Sequence, residues 1–152
     1  MAVTAFFYAN FFKTVVTQVQ SLDWDSNTIK VALTTSSYTP NQDTHDFFDD
    51  VTNEITGTGY TAGGATLGSK TNATALNVLT LDAADTSWTT STLTARRAVV
   101  YDATGGGTAG TRPLILWVDF GADVSSTAAT FSIVWDSAGL GTITAADATG
   151  FP

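Results

Sequence analysis

Leu93-Thr94-Ala95-Arg96-Arg97-Ala98-Val99-Val100-Tyr101 and Leu114-Ile115-Leu116-Trp117-Val118-Asp119-Phe120 are the two stretches whose reading decides the fold. Both are rich in β-branched, aromatic and large aliphatic residues and are bounded by turn formers. Thr104-Gly105-Gly106-Gly107 lies between them, and Gly121-Ala122-Asp123 follows the second. Working outward, similar runs occupy residues 29–33, 76–81, 88–90, 130–135 and 140–144, with Asp82-Ala83-Ala84-Asp85 as a further turn. Short strands with turns about every ten residues predict a mainly β domain, an antiparallel sandwich or a barrel-like sheet. Alternation points Ile29, Val31, Leu33, Val99, Leu116, Val118, Phe131 and Ile133 into the core. Residues 54–56 read as one more short strand, and residues 145–152 carry no pattern, which leaves them either loose or pinned by Phe151.

Composition agrees with this reading. The chain has 152 residues, enough for one domain with a real core and too few for two. It carries 29 threonines and 11 serines, and thirteen of its fourteen acids are Asp, with Glu54 the exception. Threonine suits a pleated surface with one wet face, and Asp favours turns and caps over helix faces. Six basic against fourteen acidic residues give a net charge of −8. That balance argues against a nucleic-acid binder, which needs a basic stripe. No apolar run reaches the length of a membrane span. The absence of cysteine excludes disulfides, thiolate metal sites and thiol catalysis.

At the N-terminus, Phe7, Phe11, Val15 and Val19 recur with helical spacing, and Phe6, Tyr8, Phe12 and Val16 widen the apolar face. One amphipathic helix is expected over residues 5–21, and a short second helix over 41–50 with Phe47 and Phe48 as its contacts. The first stretch is no signal peptide by pattern, because Lys13 follows the apolar residues rather than preceding them. Residues one apart on a helix point about 100° from each other, so Phe6, Phe7 and Tyr8 cannot all enter one small core. Two readings stay open. Phe7 and Phe11 face the core while Phe6, Tyr8 and Phe12 meet a partner, or sheet and loop wrap the whole helix.

Several constellations imitate chemistry. Asp23, Asp25 and Asn27 begin like a calcium loop, but the sixth position is Thr28 and the twelfth Thr34, where such a loop needs Gly and Glu. A helix-to-strand turn explains them better. Asp43, Asp46, Asp49, Asp50 and Glu54 surround the only histidine, His45, and read as a solvated face rather than a metal site. Gly57, Gly59, Gly63 and Gly64 lack the strand-to-helix context and the Lys of a phosphate loop, and so mark turns, bulges or close backbone approach. Asn72-Ala73-Thr74 matches a glycosylation sequon by pattern alone. Arg96 and Arg97 are adjacent in a strand and point to opposite faces. One must then face inward or into a subunit contact and find a carboxylate, unless it snorkels to the surface.

One histidine and no cysteine leave a single candidate base with no nucleophile elbow beside it. No catalytic, cofactor-binding or metal-ligating residue is expected, and the chain reads as non-enzymatic.

The order of motifs carries a further signal. An aromatic N-terminal segment leads into Asp23-Trp24-Asp25-Ser26-Asn27-Thr28-Ile29-Lys30-Val31-Ala32-Leu33 and Thr34-Thr35-Ser36-Ser37-Tyr38-Thr39-Pro40-Asn41-Gln42-Asp43. His45-Asp46-Phe47-Phe48-Asp49-Asp50, Asn53-Glu54-Ile55-Thr56-Gly57-Thr58-Gly59-Tyr60-Thr61-Ala62-Gly63-Gly64 and a late Val118-Asp119-Phe120-Gly121 follow. This string, to about Thr144, resembles a group of small virion structural proteins of tailed bacteriophages. The resemblance implies a capsid decoration or cement protein, made in the host cytoplasm and bound in many copies to the phage major capsid protein. Homo-oligomer contacts are expected, with no cofactor, nucleic acid or membrane. Phe6, Tyr8, Phe12, Arg96 and Arg97 are the candidate partner-interface residues. The alternative is a receptor- or carbohydrate-binding β-sandwich of a tail or head fibre. There Trp24 and Trp88, near turns, would be exposed for sugar stacking, while Trp117 and Trp135 lie in strands and are expected in the core.

Overall fold

The computed structural model describes residues 3–17 and 21–145. Among these residues eight strands form two antiparallel sheets: β1 (Thr4–Phe7), β2 (Ile29–Thr34), β3 (Ala65–Thr66), β4 (Thr71–Ala75), β5 (Val78–Asp82), β6 (Thr86–Asp102), β7 (Leu114–Ile133) and β8 (Gly141–Thr144). The larger sheet has the order β1-β7-β6-β2-β3, and the smaller has β4-β5-β8. One helix, α1 (Ala9–Val16), follows β1. The fold is thus mainly β and sandwich-like, as the turn spacing predicts.

The core sits where β2, β6 and β7 run side by side. Val31 pairs with Val100 and Ala32 with Val99, while Val100 also pairs with Leu116. All eight residues assigned inward by alternation are buried, none more than 6% exposed. β2 and the second half of β6 are covered on both faces, so Ala32, Ala98 and Val100 are buried as well. Tyr101 stacks on Phe48 with ring centroids 4.0 Å apart, which lays the segment around residue 48 over this part of the sheet.

The long β6–β7 pair merges runs that the sequence reading separates. Residues 88–90 and 93–101 belong to one strand, and residues 114–120 and 130–135 fall largely within another. The breaks between the runs are bulges. Thr90 and Ala128 take positive φ near register shifts, which lets each ladder absorb an extra residue and continue. Gly121-Ala122-Asp123 does not end the strand. Between the pairs Ala95↔Val124 and Arg97↔Asp119, residues 120–123 of β7 oppose the single Arg96.

Three other expectations are corrected. The helix expected over 5–21 begins at Ala9, because Thr4–Phe7 pairs with β7 as an edge strand; Ser21 lies outside the helix, and residues 18–20 are not among those described. The second helix shrinks to a 3₁₀ turn over Phe48–Asp50, preceded by a turn in which the Asn41 side chain accepts the Asp43 and Thr44 N–H groups. The strand expected over 54–56 is a single bridge between Thr34 and Glu54. β4, Thr-Asn-Ala-Thr-Ala, is exposed along its whole length and offers no hydrophobic alternation to find it by. Of the patternless tail, only Ala145 is described.

Candidate functional site

The N-terminal strand and helix form the most apolar exposed element of the described surface. Pairing with β7 places Phe6 opposite Trp117 and Phe7 opposite Leu116. A strand sends successive side chains to opposite faces. Phe6 therefore stacks on Trp117 at 4.7 Å and stays 39% exposed, while Phe7 packs toward Phe11 and Phe12 at 6.0 and 5.6 Å. The Tyr8 N–H extends the ladder to the Ile115 carbonyl, and its backbone is still extended. Its side chain is fully buried, and its hydroxyl lies 2.9 Å from that of Tyr38. Burial pushes the Tyr8 phenol far above its ordinary value.

Tyr8 is accordingly a core residue and not a partner contact. The helical reading set Phe6 and Tyr8 about 100° to either side of Phe7. The strand moves Phe6 outward, and the turn into α1 carries Tyr8 inside. Phe12 is 37% exposed, as the interface reading needs. Val3, Val15 and Val16 join it on the surface, at 63%, 43% and 80% exposure, and were not foreseen. The signal for the strand lies in Val3 to Tyr8, a run of β-forming residues that precedes any turn or cap.

Two clefts flank this element. One, of about 590 Å³, lies between α1 and the smaller sheet, lined by Phe12, Val15, Val16, Leu79 and Ile143 among others. The other, of about 570 Å³, runs beside β1 past Val3, Val118, Phe120, Val134 and Trp135.

Arg96 and Arg97 both reach Asp119. Arg96 Nε donates to Asp119 Oδ1 at 2.6 Å, and Arg97 Nε lies 3.1 Å from Oδ2, close enough for charge attraction but misaligned for a hydrogen bond. The bulge at residues 120–123 of β7 lies opposite Arg96, beside the point where the two arginines converge on Asp119. Arg97 also donates from Nη1 to the Tyr38 and Ser36 carbonyls, at 2.6 and 3.3 Å. Burial alone would raise the Asp119 carboxyl. The Arg96 hydrogen bond, the Gly121 N–H and the two positive charges outweigh it and hold the carboxyl below the usual range. The required carboxylate is therefore inside the same chain, and the arginine pair ties the 36–38 loop to β6 and β7.

The remaining polar clusters are also tied into the fold. Asp23 Oδ1 accepts the Ser26 N–H, and Asp25 accepts from the exposed sequon residue Asn72 at 2.7 Å. Among the described residues no group of three or more His, Asp or Glu side chains is arranged to hold a metal ion. Glu54, the only glutamate, accepts both the Tyr60 hydroxyl and the Gly63 N–H at 2.6 Å, which organises the glycine-rich loop. At Gly64, with φ +71°, a Cβ would fall onto the Val31 carbonyl, the close backbone approach its sequence context suggests. His45 is half-buried, its Nδ1 3.1 Å from the Tyr38 hydroxyl. Burial and the neighbouring Asp50 raise the Asp46 carboxyl.

The tryptophans reverse their expected places. Trp24 and Trp88 are buried, at 5% and 6% exposure, whereas Trp117 and Trp135 are only partly covered. The Trp24 indole N–H donates to the Asp82 carbonyl, which seats the 23–27 turn against β5. Among the described residues no helix is long and apolar enough to cross a membrane. Comparison with protein families, with curated proteins and with solved structures gave no match.

Proposed function

We propose that the protein is a non-enzymatic virion structural protein, a capsid decoration or cement protein held in many copies on a tailed-phage head. The motif string supports the class. The observation that carries the docking role is the N-terminal element, where Val3, Phe6, Phe12, Val15 and Val16 stay exposed beside a sheet edge. Exposed apolar groups gathered on one element mark contact surfaces in otherwise polar domains. The partners of this reading are the major capsid protein and other copies of this chain. Repetition over a shell sums many weak contacts, so each needs only modest area.

The fibre alternative loses its foreseen sugar platforms, since Trp24 and Trp88 are buried. Counting copies per purified particle separates the two roles. Hundreds of copies support decoration, and a handful would place the protein at a tail or fibre. The docking element is tested with Phe6→Ser and Val16→Ser in one chain. Folding should survive and re-addition to stripped particles should fail. Undiminished re-addition would move the docking surface elsewhere.

A further inference from the structure

Tyr8, Tyr38 and His45 form a hydrogen-bonded chain that runs inward from a half-buried imidazole. Tyr38 lies 3.1 Å from His45 Nδ1 and 2.9 Å from Tyr8 through its hydroxyl, and Tyr8 and Tyr38 are 0% and 1% exposed. The Asn41 backbone N–H points at the same Nδ1 from 3.4 Å. A backbone N–H only donates, so Nδ1 must be an acceptor and the ring a neutral imidazole with its hydrogen on Nε2. The chain then has one direction: Tyr8 donates to Tyr38, and Tyr38 donates to His45. Two hydroxyl hydrogens fill the two short contacts, and the longer Asn41 N–H contact shares the single Nδ1 lone pair with Tyr38.

We infer that His45 is a proton-sensitive latch that fastens the 38–46 loop to the N-terminal strand and helix. Protonation adds a third hydrogen to a chain with two contacts. If Tyr38 turns to accept from Nδ1–H, either its own hydrogen or that of Tyr8 is left without an acceptor in a buried site. The Asn41 N–H meets another N–H at the same time. A buried donor without a partner is costly, whereas opening the loop gives every one of them water.

Besides the Tyr8–Tyr38 contact, the loop holds the N-terminal element through three bonds. Gln42 accepts the Ala9 N–H through its backbone carbonyl at 2.8 Å, and its side-chain amide donates to the Phe7 carbonyl at 2.8 Å. Asn10 donates to the Asp43 carbonyl at 3.1 Å. The charged groups around the latch are Asp43, Asp46, Asp49 and Asp50 on the loop and the turn after it, and Arg97 from β6, which grips the Tyr38 carbonyl. Neither sign of charge changes the count of hydrogens against acceptors.

Hydrogen exchange at the Ala9 amide reads the latch directly, since that N–H is freed when the loop opens. After correction for the intrinsic pH dependence of exchange, its opening equilibrium should rise about tenfold between pH 7 and pH 5. In His45→Gln, which keeps a neutral acceptor, it should stay flat, while the core amide of Val99 is unmoved in both. An equal rise in the variant would assign the effect to the carboxylates and overturn the latch, as would a flat wild type. Nitrogen chemical shifts of the His45 ring in the unmodified protein supply a test that needs no variant. Nδ1 should carry no hydrogen at pH 7, and a hydrogen found there would overturn the inference.

Discussion

The ring of Phe7 stands against the backbone of Gly141. A Cβ at position 141 would come within 2.6 Å of Phe7 Cζ and 3.3 Å of a Leu116 methyl. Here the edge of the larger sheet meets the edge strand of the smaller one. The backbone of Phe7 is held by its place in the β1–β7 ladder, so only the ring can yield. Gly141→Ala should therefore cost about 1–3 kcal/mol, the usual price of overfilling a packed site. Chemical denaturation measures this, and a loss under about 0.5 kcal/mol would mean that the ring moves freely aside.

Substitutions at Phe6 and Tyr8 should part company. Tyr8→Ser removes a fully buried ring and should cost about 3–5 kcal/mol or prevent folding. Phe6→Ser gives up part of a surface stack on Trp117, and about 1 kcal/mol is expected. Equal losses at both positions would contradict the strand geometry that separates them.

Asp119 should govern acid stability. Its folded carboxyl titrates below the ordinary range, so its contribution is fully present above about pH 4 and is lost as pH falls through the lower folded value. Asp119→Asn should be less stable than the parent at pH 7 by about 1–3 kcal/mol, discounted for partial exposure from the cost of breaking a buried pair. The gap should close in melts taken below pH 4. A constant gap across that range would assign the loss to packing rather than to charge.

Asp46 has the opposite sign. Its carboxyl is raised, so the folded state binds that proton more readily than the unfolded chain, and stability falls as pH rises through the carboxylate range. Asp46→Asn should gain about 0.5 kcal/mol at pH 7, a modest figure because solvent screens the repulsion from Asp50. The gain should vanish near pH 3, where the parent carboxyl is protonated and pays no such penalty. A loss of stability at neutral pH would show that the carboxylate makes a favourable contact after all.

Strand interiors were legible because alternation is a direct imprint of one buried face. Ile29, Val31, Leu33, Val99, Leu116, Val118, Phe131 and Ile133 all lie in the core. The reading broke where a local pattern fits two structures. Phe7, Phe11 and Val15 have helical spacing, yet Thr4–Phe7 gains a ladder with β7 that no local propensity reports. Gly121 looks like a turn and is part of a bulge, since a glycine with positive φ serves both. The exposure of the tryptophans depends on which loop folds over which sheet. Trp24 near a turn is buried, and Trp117 within a strand is not. At the candidate site, the exposure of Phe6 and Phe12 follows from more aromatic residues than one helix face can bury, while the burial of Tyr8 and the pairing of Arg96 and Arg97 with Asp119 depend on long-range pairing.

Thr4 pairs with Asp119, across 115 positions of chain. During synthesis the N-terminal strand has no ladder to join until β7 leaves the ribosome. At ordinary elongation rates that delay is roughly 6–23 s. Throughout it Phe6, Phe7, Tyr8, Phe11 and Phe12 travel ahead of the strand that β1 pairs with. So large a sequence separation also makes closure of this ladder a slow step in refolding. The same aromatic segment is then the part of the nascent chain on which a chaperone has the longest time to act.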